Sequence, residues 1–276
     1  MNDWICSICA LDVTDKKWLA IDNWAKIGNK VYCRNCYSKM KAIQITGSQG
    51  FIGKHLCNYL EANGQKVIQI KRDLSNVKNE GTIINLAAYG NHSYQTDLNE
   101  IINVNVHSLV KLIAKTKKCD KFINISTSSI SLKNQTGYSL TKALGELIIN
   151  GKDSRYTNVR PYSVFGEGEA DFRFIPTVIR CLKTGQSMPL VPNVTHDWIY
   201  IHDFIKAMLA GHKEIGTGHK TTNLEIVRCL EKISGKKLNF DVVKSLRPYD
   251  NDNWVCLNPV KSIPLYEALK LTYERS

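Results

Sequence analysis

Tyr138 and Lys142 stand four residues apart in TGYSLTKALGELIIN. On a helix, that spacing puts the phenol and the ammonium on one face. A cation beside a phenol favours phenolate and lowers the tyrosine pKa, so the pair reads as a couple that passes a proton to or from a hydroxyl. Just upstream, INISTSSIS offers a cluster of hydroxyls, among them Thr127 and Ser128. Such a cluster at a strand end also has a plain role, capping local backbone.

A second constellation is Gly47-x2-Gly50-x2-Gly53 in ITGSQGFIGKHL, between a strand-like and a helix-like stretch. The first glycine permits a tight turn, the second a close approach to a pyrophosphate, and the third tight packing of helix on strand. The anion then rests on the N–H groups of the helix N-terminus. Gly50, Phe51, Ile52 and Gly53 therefore read as dinucleotide contacts. The next strand, VIQI, runs into Lys71 and Arg72, whose charges suit the 2′-phosphate of NADP(H). Asp73 follows and would instead suit the ribose of NAD(H). NADP(H) is the expected cofactor.

The third constellation is Cys6-x2-Cys9 with Cys33-x2-Cys36. Two chelating pairs complete a tetrahedral, closed zinc site, so a structural Zn2+ is expected. GNKVYCRNCYSKM reads as a strand, a metal knuckle and a helix, like a zinc ribbon or treble clef. Five further cysteines (Cys57, Cys119, Cys181, Cys229, Cys256) are isolated and read as buried thiols.

These groups need scaffolds. Residues 1–40 form the cysteine-rich module. From Lys41 onward strands (KAIQIT, KVIQI, TIINLAA, KFINIS) alternate with helices (HLCNYLEANG, IINVNVHSLVKLIAKTKK). That alternation predicts an α/β fold, a Rossmann-type doubly wound parallel sheet, over 41–276. Residues from about 165 onward form a small C-terminal substrate-binding region.

Beyond these elements the chain resembles the extended short-chain dehydrogenase/reductase superfamily, the NAD-dependent epimerase/dehydratase family. TGSQGFIG, NLAAYG, Asn105 in VNV, Tyr138-x3-Lys142, RPYSVFGEG, HDWIYIHD and the IGTGHKTTN stretch follow the family's order over about residues 41–240. The resemblance implies a nucleotide-sugar enzyme in which Tyr138 is the general acid/base and Thr127, or alternatively Ser128, hydrogen-bonds the reacting oxygen. It places Leu86, Ala87, Ala88, Asn105 and Pro161, with Tyr138 and Lys142, beside the cofactor. It places Ser163, His196 and Arg247 at the substrate, with Trp254 near it. Dehydratases carry an acid and a base after the threonine; here Ser128 and Ser129 stand there, which argues against 4,6-dehydration. The stretch between the second strand and NLAA is compressed, as if a strand–helix unit were missing. It resembles the branch that reduces 4-keto deoxysugar nucleotides, so a 4-keto reductase is favoured over a 4-epimerase. A homodimer through the helices around Tyr138 is also implied.

The formal net charge is +12, with 43% hydrophobic and 22% charged residues. The cations are spread along the sequence and read mainly as a solvated surface. No long apolar run predicts a membrane span, the start does not read as a signal peptide, and a cytoplasmic location is expected. The competing reading is a non-catalytic NADP(H) sensor whose zinc module contacts nucleic acid or a protein; an intact Thr127, Tyr138 and Lys142 set argues against it.

Overall fold

The computed structural model describes residues 7–8, 24–27, 29–92, 94–244 and 255–276. Cys6, Cys9, Arg247 and Trp254 lie outside the described residues.

The N-terminal hairpin pairs β1 (Trp24–Ile27) with β2 (Lys30–Cys33), and β2 runs into α1 (Arg34–Lys39). The strand and the helix expected of GNKVYCRNCYSKM are present, Cys33 ending the strand and Cys36 lying in the helix. The hairpin is anchored on the following domain. Tyr32 Oη donates to Gly64 O at 2.7 Å and Lys30 Nζ to Asn63 O at 3.2 Å. Lys66 Nζ donates to Tyr37 O at 3.1 Å and lies 4.4 Å from the centre of the Tyr37 ring.

The main domain proceeds through β3 (Ile43–Thr46), α2 (Phe51–Ala62), β4 (Val67–Gln69), β5 (Thr82–Asn85) and α3 (Leu98–Ile102). A π-turn (Asn103–His107) joins α3 to α4 (Ser108–Lys115), so the long helix expected here is continuous but widened at its centre. Then follow β6 (Lys121–Ile125), a 3₁₀ turn (Ser128–Ser131), α5 (Gly137–Asn150), β7 (Tyr156–Pro161), β8 (Ser163–Phe165) and α6 (Phe174–Thr184). The rest comprises β9 (Met188–Leu190), β10 (Thr195–His196), β11 (Trp198–Tyr200), α7 (Ile201–Leu209), β12 (Glu214–Ile215), β13 (Thr221–Thr222), α8 (Asn223–Ser234), β14 (Phe240–Val242) and α9 (Leu265–Glu274).

Six strands make one parallel sheet in the order β12-β7-β6-β5-β3-β4. Alternate side chains serve opposite faces. Ile84 and Ile123 join the core with α2, α6 and α7, whereas their neighbours Ile83 and Phe122 join Leu109, Leu112 and Ile149 of α4 and α5. Both faces are buried, which is why the strands are apolar throughout rather than alternating. The sheet is doubly wound as expected. The compressed stretch also has its structural counterpart: β4 is the sheet edge, and residues 70–81 cross to β5 without a helix among the described residues. In the C-terminal region β8 pairs with β11, β9 with β14 and β10 with β13.

Candidate active site at the carboxyl ends of the strands

The chain reverses direction across the sheet at β3, which has β4 on one side and β5 on the other; ligands of open α/β sheets lie outside the carboxyl ends of strands at such a point. The glycine loop sits there. Gly47 has φ 64°, and a Cβ on it would lie 2.9 Å from Ala87 N. A Cβ on Gly53 would lie 2.2 Å from Gly47 O. Larger residues would force the loop apart from α2. Gly50 caps the twelve-residue α2 without a side-chain bond, leaving first-turn N–H groups for an anion. The donor set fits a dinucleotide pyrophosphate.

Thr46, at the end of β3, ties this loop to the next. Its hydroxyl donates to Asn85 Oδ1 at 2.6 Å and accepts from Leu86 N and Ala87 N at 3.1 Å each. Asn85 Nδ2 donates to Asn124 Oδ1 at 3.0 Å, and Asn124 Nδ2 to Asn158 Oδ1 at 2.9 Å. A ladder of one hydroxyl and three amides thus crosses four strands and fixes where Leu86, Ala87 and Ala88 leave the sheet. At the outer edge, Gln69 Oε1 accepts from Gln49 Nε2 at 2.6 Å and from Ser48 Oγ at 3.2 Å. Lys71 and Arg72 follow it, exposed. Asp73 turns its carboxylate to Ser75 N at 3.0 Å, which holds it below the usual carboxylate range.

Tyr138 lies in the first turn of α5, set by a capping box. Ser139 N donates to Thr136 Oγ1 at 3.1 Å and Thr136 N to Ser139 Oγ at 2.8 Å. Lys142, one turn on, is buried and donates from Nζ to Ile125 O at the end of β6. Burial pushes its pKa down to about 8, partly countered by Glu146. Burial also raises the Tyr138 phenol, outweighing the Arg173 guanidinium and a hydrogen bond from Thr127, which both pull it down. The expected net lowering of the tyrosine is therefore corrected: desolvation outweighs the Arg173 charge and the Thr127 hydrogen bond. Thr127 Oγ1 also lies 2.7 Å from Ser129 Oγ and accepts from Ser129 N at 3.1 Å. It faces the tyrosine and caps the 3₁₀ turn at once, while Ser128 is buried within that turn.

Asn105, in the π-turn, accepts from Tyr89 N at 2.9 Å, and its Nδ2 donates to Tyr89 O and to Thr141 Oγ1, both at 2.9 Å. It clamps the 86–90 loop to the helix that carries Tyr138. Pro161 ends β7, buried beside Ile215 of β12. Ser163 Oγ lies 3.3 Å from His196 Nδ1, so two expected substrate residues meet.

Arg173, whose charge acts on Tyr138, has neighbours that no motif announced. His92 stacks on Tyr94 and meets Phe172 edge-on at 4.8 Å. Burial, with Arg173 nearby, lowers the His92 pKa. Glu169, its side chain 11% exposed, has Oε1 at 4.0 Å from Arg173 Nε, and burial pushes its carboxyl up to about 8. Its Oε2 is buried with no hydrogen-bond partner. Asp197 is a buried clamp: it accepts from Thr217 N and Oγ1 at 2.7 Å each, and from Gly218 N and Cys256 N at 2.9 Å each. Only HDWIYIHD hinted at it.

His55, Glu167 and His202 have donor atoms within 4.8 Å of one another, the one metal-compatible group among the described residues. Their bonds are spent internally. Glu167 accepts from Tyr200 Oη and Arg275 Nη1 at 2.9 Å each and lies 3.2 Å from His202 Nε2, while His55 Nε2 lies 2.8 Å from Glu167 O. Burial opposes ionisation of Glu167, but these partners and its own N–H hold it down at about 2. The cluster latches the end of α9 to α2 and α7.

Residues 43–226 match the model of the NAD dependent epimerase/dehydratase family. A CDP-abequose synthase of Salmonella typhimurium is 27% identical over 205 residues, covering 60% of this chain and 68% of that protein. The fold is similar to the UDP-N-acetylglucosamine 4-epimerase of Methanobrevibacter ruminantium (TM-score 0.75, 19% identity, 86% of this chain and 98% of that one). It is also similar to the UDP-glucose 4-epimerase of Thermus thermophilus (TM-score 0.72, 18% identity, 85% and 98%). With the family's glycine loop, amide clamp and Tyr–Lys helix all at the carboxyl ends of one parallel sheet, the chain belongs to the NAD dependent epimerase/dehydratase family and is an enzyme of the extended short-chain dehydrogenase/reductase type.

Proposed function

We propose that the chain reduces a 4-keto nucleotide sugar with NADPH. The observation that carries this reading is the phenol of Tyr138, hydrogen-bonded by Thr127, on a helix that Asn105 ties to the 86–90 loop and Lys142 ties to the end of β6. The similarity to a CDP-abequose synthase supports a nucleotide-sugar substrate. Gly47, Gly50, Phe51, Ile52 and Gly53 hold the pyrophosphate, and Lys71 and Arg72 hold the 2′-phosphate. Leu86, Ala87, Ala88 and Pro161 flank the rest of the cofactor. When bound, the nicotinamide supplies the hydride. Tyr138 gives its proton to the carbonyl oxygen as that oxygen gains charge, and Thr127 donates a hydrogen bond to the same oxygen. Lys142 keeps a positive charge under the phenol as the proton leaves. Ser163, His196 and Arg247 contact the substrate.

Two further assignments belong to this reading. A structural Zn2+ on Cys6, Cys9, Cys33 and Cys36 is supported by the β2–α1 junction at Cys33 and by Ser7 N donating to Val31 O at 2.8 Å, two residues before Cys33. A homodimer through α4 and α5 is supported by Leu140, Leu144, Leu147 and Val110, which are 56%, 45%, 68% and 47% exposed. No helix among the described residues is long and apolar enough to cross a membrane.

The test is titration with NADPH and with NADH, followed by single turnover on a 4-keto nucleotide sugar. Tighter NADPH binding and oxidation of one NADPH per sugar are expected. NAD that stays bound through turnover, with interconversion of 4-epimers, would make the chain an epimerase instead. A Tyr138→Phe variant as active as the parent would remove the reading.

A further inference from the structure

The positive charge is scattered in sequence but gathered in space. All six strands of the main sheet are parallel, so their amino ends share one edge. In sheet order, Lys213 precedes β12, Arg155 precedes β7, Lys121 opens β6, Lys41 stands just before β3 and Lys66 just before β4. Only the β5 position breaks the row, with Glu80 and Gly81. At ~4.8 Å between neighbouring strands the row spans ~24 Å.

The segments leading into the strands deepen it. Residues 41–42, 63–66, 78–81, 115–121, 151–155 and 211–213 contain ten lysines and arginines and three carboxylates. Asp120 pairs with Lys41 at 2.8 Å and Asp153 with Arg155 at 2.7 Å. Between β6, β7 and the 211–213 turn lies a cleft lined by Lys121, His212 and Lys213 together with the buried Ile123, Val159 and Met208. At the β4 end the hairpin continues the row with exposed Lys30, Arg34 and Lys39. Helices α2, α4, α5 and α7 end on this edge, and cations there complement their dipoles. Four helix ends supply only about two negative charges, fewer than the excess of cations. Dipole compensation therefore leaves most of the charge unexplained.

The partner is narrowed by what the edge lacks. Apart from Ile8 beside the hairpin, the exposed large apolar residues lie elsewhere, among them Leu140, Leu144 and Leu147 on α5, Tyr94 and Phe172, and Val242, Leu257 and Ile263 in the C-terminal region. A membrane-surface helix would add an apolar face for insertion. A single-strand binder would add aromatic rings for stacking. The two rings on this edge, Tyr37 and Tyr156, are covered by Lys66 and Arg155, and a line of cations over them matches a line of phosphates.

We propose that this edge docks the phosphate backbone of a nucleic-acid duplex, on the side of the sheet opposite the cofactor cleft. Both sites are then usable at once.

The full chain is titrated into labelled DNA and RNA duplexes of about 20 base pairs, by fluorescence anisotropy, between about 50 and 200 mM salt. Log K falls linearly with log salt, with a slope of about −4.5 for roughly five phosphate contacts. The double variant Lys121→Gln/Lys213→Gln flattens that slope by about two and binds several-fold more weakly. Lys232→Gln/Lys270→Gln, on α8 and α9, leaves it unchanged. NADPH titration of each variant reports that it is folded and that the duplex does not compete with cofactor. No duplex binding at the lowest salt would overturn the proposal. So would binding that ignores Lys121→Gln/Lys213→Gln, or anionic-lipid vesicles capturing the protein under conditions where the duplexes do not.

Discussion

Asn105 donates to the hydroxyl of Thr141 at 2.9 Å, and so joins the π-turn of one helix to the helix that presents Tyr138 and Lys142. The same amide satisfies both backbone groups of Tyr89. An i+5 turn is what lets a buried side chain reach sideways to two elements, and such π-turns concentrate at functional sites. Asn105→Ala leaves the Tyr89 backbone groups unpaired. A loss of about 2–3 kcal/mol in urea denaturation is expected, with kcat falling more than cofactor affinity because the catalytic helix loses its register.

Tyr138→Phe removes the proton donor. A fall in kcat of about 10²–10⁴-fold, with substrate affinity little changed, is expected from steady-state kinetics and equilibrium binding.

Lys142 carries a second, opposing pH signature. Its pKa of about 8 means the cation is lost as pH rises through that value, and activity falls there with it. Stability moves the other way. Between about 8 and the ordinary value of 10.5 the unfolded chain holds more of this proton than the folded chain, so this group's contribution rises with pH in that window. Lys142→Met abolishes both the basic limb of the rate profile and the stability slope, read by thermal melts across the same range.

Glu169 gives the reverse sign. Its folded pKa of about 8 exceeds the ordinary 4.5, so the folded chain holds the proton more tightly. Stability contributed by this group is present below 4.5 and is lost as pH rises through about 8. Glu169→Gln keeps the shape without the charge. It is expected to raise the melting temperature above pH 8 and to change little at pH 5.

The Glu167 latch is the acid counterpart. With its carboxyl held at about 2, its contribution is present above 4.5 and disappears as pH falls toward 2. Arg275 is half exposed, so Arg275→Ala costs under about 1 kcal/mol; Glu167→Ala, which strands Tyr200 and His202 as well, costs more. Comparing melts of both variants at pH 7 and pH 3 checks this, the gap closing at the lower pH.

Much of this protein was determined by short-range sequence. The glycine loop, the capped Tyr–Lys helix and the β2–α1 strand and helix are local chemistry: turn geometry, i,i+4 spacing and caps act within a few residues, so they are legible in one dimension. The compressed crossing after β4 is likewise a matter of chain length. Only the tertiary structure decided what depends on distant segments meeting. Burial, not the neighbouring lysine, dominates the Tyr138 phenol. Glu169 and His92 gather around Arg173, whose charge acts on the tyrosine, from segments with no periodicity to announce them. Asp197 is a backbone clamp because Thr217, Gly218 and Cys256 fold onto it. The cations that read as a scattered solvated surface become one edge for a single physical reason: parallel strands all begin on the same side of their sheet, so residues far apart in sequence stand one strand spacing apart in space.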